Sequence, residues 1–358
     1  MSLATPSTPS RLPVRRAHSP LFAPAWPAAG LMAGLALLLA LPGMGVGAAR
    51  AEASPAERAV LEQYPPSGVE FELQAISEHV YVAIGEAGIA TDNRGFISNA
   101  AAVVTDEGIV VFDALGTPSL ARSFVEALRE VSDRPFVRVI ASHYHADHIY
   151  GLQVFQELGA EVWAPLGVSE YLRAPQAAER LEERRFSLEP WVDERTRLVE
   201  PDRILDEDAH FSLGGVDFHV SLLGSAHSEG DLAMIVQPDR VLLSGDIIFE
   251  GRVPYVGNAN TRNWLGTLQA LETADLAALL PGHGPLASDP NAALTLTRRY
   301  IARLREVMAA AVDELQSFDE AFAAADWSEF AHLPAFEFAH RRNAYQVYLS
   351  IEAEAFAE

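Results

Sequence analysis

The sequence predicts an α/β fold in which two β-sheets are sandwiched between layers of helix, followed by a C-terminal helical appendage. Three observations carry this reading. From Phe71 onward, short β-rich runs alternate with segments whose apolar residues recur at helical spacing. Midway through the chain the pattern starts again with strands and closes on a helix, which gives two strand-then-helix halves. Beyond Pro290 the texture is helix only.

In the first half, strands are expected at Phe71–Ile76, His79–Ile84, Ser98–Val104 and Ile109–Phe112. A helix follows at Leu120–Val131, then a strand at Phe136–Ala141 after the break at Pro135. A helix over Tyr150–Leu158, a strand at Glu161–Ala164 and a Glu/Arg-rich helical cover over 166–195 complete this half. The second half offers strands at Arg203–Leu205, Phe211–Leu213, Val216–Leu222, Leu232–Val236 and Arg240–Ser244. A helix at Arg262–Leu271 and a strand at Leu276–Leu280 close it. The appendage is expected as helices at Ala292–Leu315, Phe318–Ala325 and Arg341–Phe356. No internal repeat is visible.

The chain starts with a different kind of sequence. Residues 1–51 contain no Asp or Glu and four arginines, Arg11, Arg15, Arg16 and Arg50. The apolar run Gly30–Leu41 is broken by Pro42-Gly43 and followed by small residues to Ala49-Arg50-Ala51. A basic stretch, an apolar core of about a dozen residues and an A-x-A site are the parts of a secretory signal peptide, shorter than the ~20 residues of a spanning helix. The expected organisation is a signal peptide over 1–51, a leader arm over 52–70, a main domain over 71–288 and a helical extension over 289–358. The expected location is the periplasm or the medium, with no membrane association once the signal is removed. Arg15-Arg16 leaves the general secretory and twin-arginine routes both open.

Composition narrows the chemistry. The 358 residues include no cysteine and no lysine, so all 26 basic side chains are arginine. Disulfides, thiolate metal sites, cysteine nucleophiles, Schiff bases and a phosphate-loop lysine are thereby excluded. With 49 acidic residues the formal net charge is −23, which disfavours nucleic acid and anionic membranes and leaves a small molecule as the expected partner.

One cluster stands out. Residues 142–148 read Ser-His143-Tyr144-His145-Ala-Asp147-His148, straight after an expected strand. Histidines two apart in extended backbone point to the same side, so His143 and His145 can grip one ion. Asp147 and His148 can present an oxygen and a nitrogen to a second. His227, Asp246 and His283 each follow a further strand-like run, the last two beside glycine. Such a set suits metal binding.

The pattern His143-x-His145-x-Asp147-His148, then His227, Asp246 and His283, resembles the metallo-β-lactamase-fold hydrolases over roughly residues 71–288. That resemblance implies a four-layer αββα metallo-β-lactamase sandwich. It further implies one zinc on His143, His145 and His227, a second on Asp147, His148 and His283, and Asp246 bridging them. Asp113 in Val-Val-Phe-Asp resembles that fold's early aspartate, which supports the metal loop from behind. The implied reaction is attack by metal-activated water on an ester, thioester, amide or lactone, with Asp147 orienting the water and moving its proton. Tyr144 is a candidate oxyanion donor.

The segment Asp246-Ile-Ile-Phe-Glu-Gly-Arg252 resembles the glyoxalase II-like branch. The run Gly251–Trp264 and the tail His340–Tyr348 are similar to exported members that accompany periplasmic thiosulfate oxidation (SoxH-like) or quinoprotein relay systems, which makes a periplasmic redox protein a further expected partner. Without cysteine, lactamases with a Cys ligand are excluded, and the bridging Asp246 argues against antibiotic hydrolysis as the main task. In a chain without lysine, an anionic substrate group falls to arginine, with Arg252 and Arg262 nearest in sequence. Four readings stay open: the dizinc hydrolase, a β-lactamase, a mononuclear iron persulfide dioxygenase using His143, His227 and Asp246, and a non-catalytic metal-binding partner of a sulfur-oxidation or quinoprotein system.

Overall fold

A computed structural model describes residues 53–271 and 275–357. The expected signal peptide lies outside the described residues. Among those described, no helix is long and apolar enough to cross a membrane.

Where a loose leader was expected, the chain forms a helix, α1 (Pro55–Leu61), with the Ser54 side chain capping the Glu57 amide and Pro55 in its first turn. One turn later Tyr64 is buried, donating to Glu157 and accepting from Gln153. The expected strand over 71–76 contracts to β1 (Gln74–Ala75), because Phe71 turns inward against Phe96 and Phe124 instead of pairing.

The first sheet then runs in chain order through β2 (Val80–Ala83), β3 (Ala100–Val104), β4 (Ile109–Phe112), β5 (Phe136–Ile140), β6 (Glu161–Pro165) and β7 (Arg203–Leu205). Its first four strands are antiparallel and its last four parallel. Each parallel step needs a crossover, supplied by α2 (Pro118–Leu128), by α3 (Ala146–Ile149) with α4 (Leu152–Glu157), and by α5 (Leu166–Leu172) with α6 (Pro175–Ser187). The helix expected over 150–158 is α4, and the short α3 precedes it within the ligand loop. The chain breaks at Gly151, where a Cβ would lie 1.9 Å from the Ala114 carbonyl oxygen, so only glycine permits this approach to the loop after β4.

The second sheet is ordered β12-β11-β10-β9-β8, from β8 (Ala209–Leu213), β9 (Val216–Gly224), β10 (Asp231–Gln237), β11 (Val241–Leu243) and β12 (Ala278–Leu280). Only its β11–β12 pair is parallel, bridged by α7 (Thr261–Leu271). The tail is helical as expected: α8 (Pro290–Asp313) capped by Asp289, α9 (Phe318–Ala324) with a Ser317–Glu320 capping box, and α10 (Phe336–Ala357). The last helix starts five residues before the expected Arg341, just beyond Pro334.

Three apolar clusters make the layers. Val80, Val103, Phe112 and Ile140 of the first sheet meet Phe218, Met234 and Leu243 of the second in the central layer. Helices α2 and α4 cover the first sheet's outer face through Leu120, Phe124, Val154 and Phe155. Helices α7, α8 and α10 cover the second through Trp264, Leu268, Ile301, Leu304 and Val347. The order is helix, sheet, sheet, helix. Both sheets are thus buried on two faces, which is why β4 and residues 232–236 of β10 read as unbroken apolar runs.

Candidate metal centre

The loop leaving β5 is fixed before any side chain reaches the site. Asp113 follows β4 with φ 61, a left-handed backbone that aspartate tolerates. Its carboxylate accepts from the Ser142 amide at 2.7 Å, the Ser142 hydroxyl at 2.8 Å and His148 Nδ1 at 2.8 Å. Because the Ser142 hydroxyl gives its proton to Asp113, its oxygen must accept from His143 Nδ1, 2.9 Å away. His143 and His148 are therefore both held by Nδ1, and both turn Nε2 into the site. His283 follows the same rule: its Nδ1 donates to the Ile97 carbonyl at 2.6 Å.

Two groups of ligand atoms result, His143, His145, His227 and Asp246 in one and Asp147, His148 and His283 in the other. In the first, His143 Nε2 and His227 Nε2 each lie 3.0 Å from His145 Nδ1. In the second, His283 Nε2 is 3.2 Å from Asp147 Oδ2, and His148 Nε2 is 3.7 Å from it. The Asp246 carboxylate lies between them, with Oδ1 3.3 Å from His148 Nε2 and Oδ2 3.3 Å from both His227 Nε2 and His283 Nε2. Gly282 makes room for it, since a Cβ there would sit 2.0 Å from Asp246 Oδ1.

The arrangement asks for cations. His148 Nε2 and Asp246 Oδ1 are buried without a hydrogen-bond partner. Burial pushes His143, His145 and His227 below the ordinary histidine value, His227 to about 3, which keeps them neutral with lone pairs available. Burial also opposes charge on His148 and His283, but Asp113, Asp246 and Asp147 outweigh it at His148, and Asp246 and Asp147 outweigh it at His283. His148 rises well above the ordinary value and His283 to about 9. These carboxylates favour positive charge at the two Nε2 atoms, whether a proton or a metal carries it. Zinc takes nitrogen at about 2.0–2.1 Å, so tetrahedral ligand atoms stand roughly 3.3 Å apart, close to the separations found here. With no sulfur in the set, zinc and iron both fit.

The structure thus brings together all seven expected ligands, with Asp113 behind them. Asp147 and His145 are the two of the seven that are only partly buried, the Asp147 side chain 21% exposed against 0% for His148. Tyr144 stacks on Tyr171 at 4.4 Å and sets its ring edge-on to His145, so its ring packs against the first ligand group. The guanidinium of the exposed Arg262 bonds Glu354 of α10 at 2.7 Å, which ties α7 to the tail. Burial lowers the pKa of the Arg252 guanidinium, against the opposing charges of Asp246 and Asp147.

Several supports went unnoticed in the sequence. Ser142 links Asp113 to His143. The buried Asp231 accepts from the amides of Ala226 and Ser228, on either side of His227, while burial raises its pKa to about 7 against those bonds. Asn99 donates to the carbonyls of Pro281 and Gly284, on either side of His283. Asp231 lies four residues past His227, in His-Ser-Glu-Gly-Asp, and that spacing was the available signal; Asn99 had none.

Residues 93–283 match the family model described as the Metallo-beta-lactamase superfamily. The metallo-beta-lactamase IND-1 of Chryseobacterium indologenes is 22% identical over 210 residues, covering 57% of this chain and 77% of that protein. The acyl-coenzyme A thioesterase MBLAC2 of Gallus gallus is 31% identical over 163 residues, covering 42% of this chain and 57% of its own length. Among solved structures, a metallo-beta-lactamase from Pontibacter korlensis superposes with a TM-score of 0.53 at 19% identity, over 65% of this chain and 99% of that one.

Proposed function

This chain belongs to the metallo-beta-lactamase superfamily and is a metal-dependent hydrolase, and on that premise we propose that it is a dinuclear zinc enzyme cleaving an acyl ester or thioester. The position of Asp246 carries the reading. One carboxylate within 3.3 Å of nitrogens from both ligand groups supports two ions side by side. His143, His145 and His227 would hold one, Asp147, His148 and His283 the other, with Asp246 shared. Two zinc ions so held would lower the pKa of a water between them and polarise the substrate carbonyl.

The chain's own residues do the rest. Asp113 and Ser142 hold the histidine rings in one orientation, so no reorganisation is needed at the moment of reaction. Asp147 stays a carboxylate, because His148 and His283 overcome the effect of its burial, so it can accept a proton and pass it to a leaving group. Phe249, stacked on His283, and Trp264, edge-on to His227, keep the inner wall of the site dry. The 31% identity to an acyl-coenzyme A thioesterase favours a thioester over a β-lactam.

The test combines metal analysis with a screen of simple thioesters, S-lactoylglutathione and the β-lactam nitrocefin. Two metal ions per chain with thioester turnover is the expected result. Fewer than one ion per chain in protein isolated without chelators overturns the reading, and preferential nitrocefin turnover replaces the thioester with a β-lactam. Residues 1–51 support export, as does the likeness of Gly251–Trp264 to exported SoxH-like and quinoprotein-relay members. A mature N-terminus near residue 52 in material from the periplasm is the expected observation.

A further inference from the structure

Helix α10 has two apolar faces. The inner one buries Ala339, Ala344, Val347 and Ile351. Asn343, also buried, pins the helix to the loop before α7: its Oδ1 accepts from the Val256 amide at 3.0 Å and its Nδ2 donates to the Pro254 carbonyl at 2.6 Å. The outer face is therefore presented in one fixed orientation. It carries Phe338, Tyr345, Leu349 and Phe356, four of the ten large apolar side chains exposed among the described residues, with the two phenylalanines 70% and 90% exposed. A helix on a protein surface normally turns charge outward, and one that is apolar all round is normally covered on both sides.

The spacing along the outer face is regular. Positions 338, 342, 345, 349, 352 and 356 follow at intervals of 4, 3, 4, 3 and 4, the repeat of a coiled-coil seam, and read Phe-Arg-Tyr-Leu-Glu-Phe. This seam is symmetric about residue 347. Laid antiparallel on a second copy, Phe338 meets the partner's Phe356, Tyr345 meets the partner's Leu349 and Arg342 meets the partner's Glu352, and each pair forms twice. Laid parallel, arginine would face arginine and glutamate would face glutamate, which is repulsive. Neither Arg342 nor Glu352 makes an ion pair among the described residues; the Arg342 guanidinium lies 5.6 Å from the Tyr255 ring centre.

We propose that the outer face of α10 is a self-association surface, on which a second copy of this chain docks its own α10 antiparallel across a two-fold axis at residue 347. At roughly 200 Å² per aromatic side chain, Phe338 and Phe356 expose about 300 Å² per copy. With the rest of the seam, two copies would bury on the order of 1,000 Å², the lower end of specific interfaces, so a reversible dimer in the micromolar range is expected. The net charge of −23 holds copies apart at low ionic strength, whereas at ~0.15 M salt the screening length falls to ~8 Å. Such a dimer is independent of the reaction at the metal centre.

Sedimentation equilibrium on the purified, metal-loaded protein from about 1 to 100 µM in ~0.15 M salt tests this. A monomer–dimer equilibrium is expected. Arg342→Glu and Glu352→Arg each set like charges opposite one another twice, and each should weaken the dimer by about tenfold or more. Mixed in equal amounts, the two variants recover both attractive pairs, so a heterodimer within roughly threefold of the wild-type affinity is expected. Mixing would not rescue a variant that had merely misfolded. A wild type still monomeric at the highest concentration, a dimer that neither substitution weakens, or a mixture no tighter than its components overturns the proposal. Binding of that wild-type monomer to phosphatidylcholine vesicles would overturn it in favour of a lipid surface.

Discussion

The two halves of the molecule supply the metal centre in different ways. The seven-stranded half gives His143, His145, Asp147 and His148 from one loop, braced from beneath by Asp113. The five-stranded half gives His227, Asp246 and His283 from three separate loops, each with its own support: Asp231 beside His227, Gly282 beside Asp246, Asn99 beside His283. A contiguous loop can be preorganised by a single carboxylate. Dispersed ligands are aligned only when the second sheet, its helices and the first-half segment carrying Ile97 and Asn99 are all in place. The first arrangement tolerates distant change and fails at one point, while the second is spread over many contacts.

That contrast can be broken by substitution. Asp246→Asn strikes the one ligand near both groups and is expected to reduce turnover by roughly a thousandfold or more and bound metal to at most one ion per chain, read by kinetics and elemental analysis. Asp147→Asn removes a candidate ligand of the contiguous loop and, on the proposed mechanism, the proton carrier. It is expected to cost about a hundredfold or more in kcat while the His143, His145 and His227 group keeps its ion. Asp113→Asn touches no metal, yet it weakens the hold on Ser142 and His148, and roughly 10- to 100-fold weaker metal affinity is expected in a chelator competition. If it costs nothing, the loop is rigid without its brace and the contrast fails.

Smaller effects come from the tail. Asn343→Ala leaves a buried amide and a carbonyl unpaired, and about 1–3 kcal/mol of stability should be lost in denaturant titration. His340 tests pH. It is buried against Phe322, Trp327 and Phe336, and burial pushes its pKa down to about 4. The unfolded chain takes up the proton first, so this contribution is intact above the ordinary histidine value of about 6.5 and is lost as pH falls towards 4. His340→Phe should flatten the acid side of the stability profile measured by thermal unfolding.

The same contrast governs what could be read from the sequence. The loop ligands were legible because four chemical side chains within six residues are improbable in a merely structural loop, and strand periodicity put them at a strand end. His227, Asp246 and His283 were legible only through the family pattern, since each alone is an ordinary polar residue near a turn. The layers followed from apolar periodicity, but α1 did not: seven residues carry too little pattern, although Ser54 and Glu57 spell its cap. The pairing of Arg262 was not legible, because proximity in sequence to Asp246 said nothing about Glu354, 92 residues further on. The buried Asn343, which accepts from the Val256 amide and donates to the Pro254 carbonyl, was invisible for the same reason, since α10 meets that loop only in the fold.

The hydrogen bond from the Leu232 amide to the Ser142 carbonyl, at 3.0 Å, ties the two sheets together at the edge of the ligand set. Ions held here would act as a rivet across that seam, because their ligands come from both sides. Folding would then be thermodynamically linked to metal supply: for each ion released on unfolding, every tenfold rise in free metal above its dissociation constant would add about 1.4 kcal/mol to stability. The melting temperature of this chain would in effect report the free metal concentration around it.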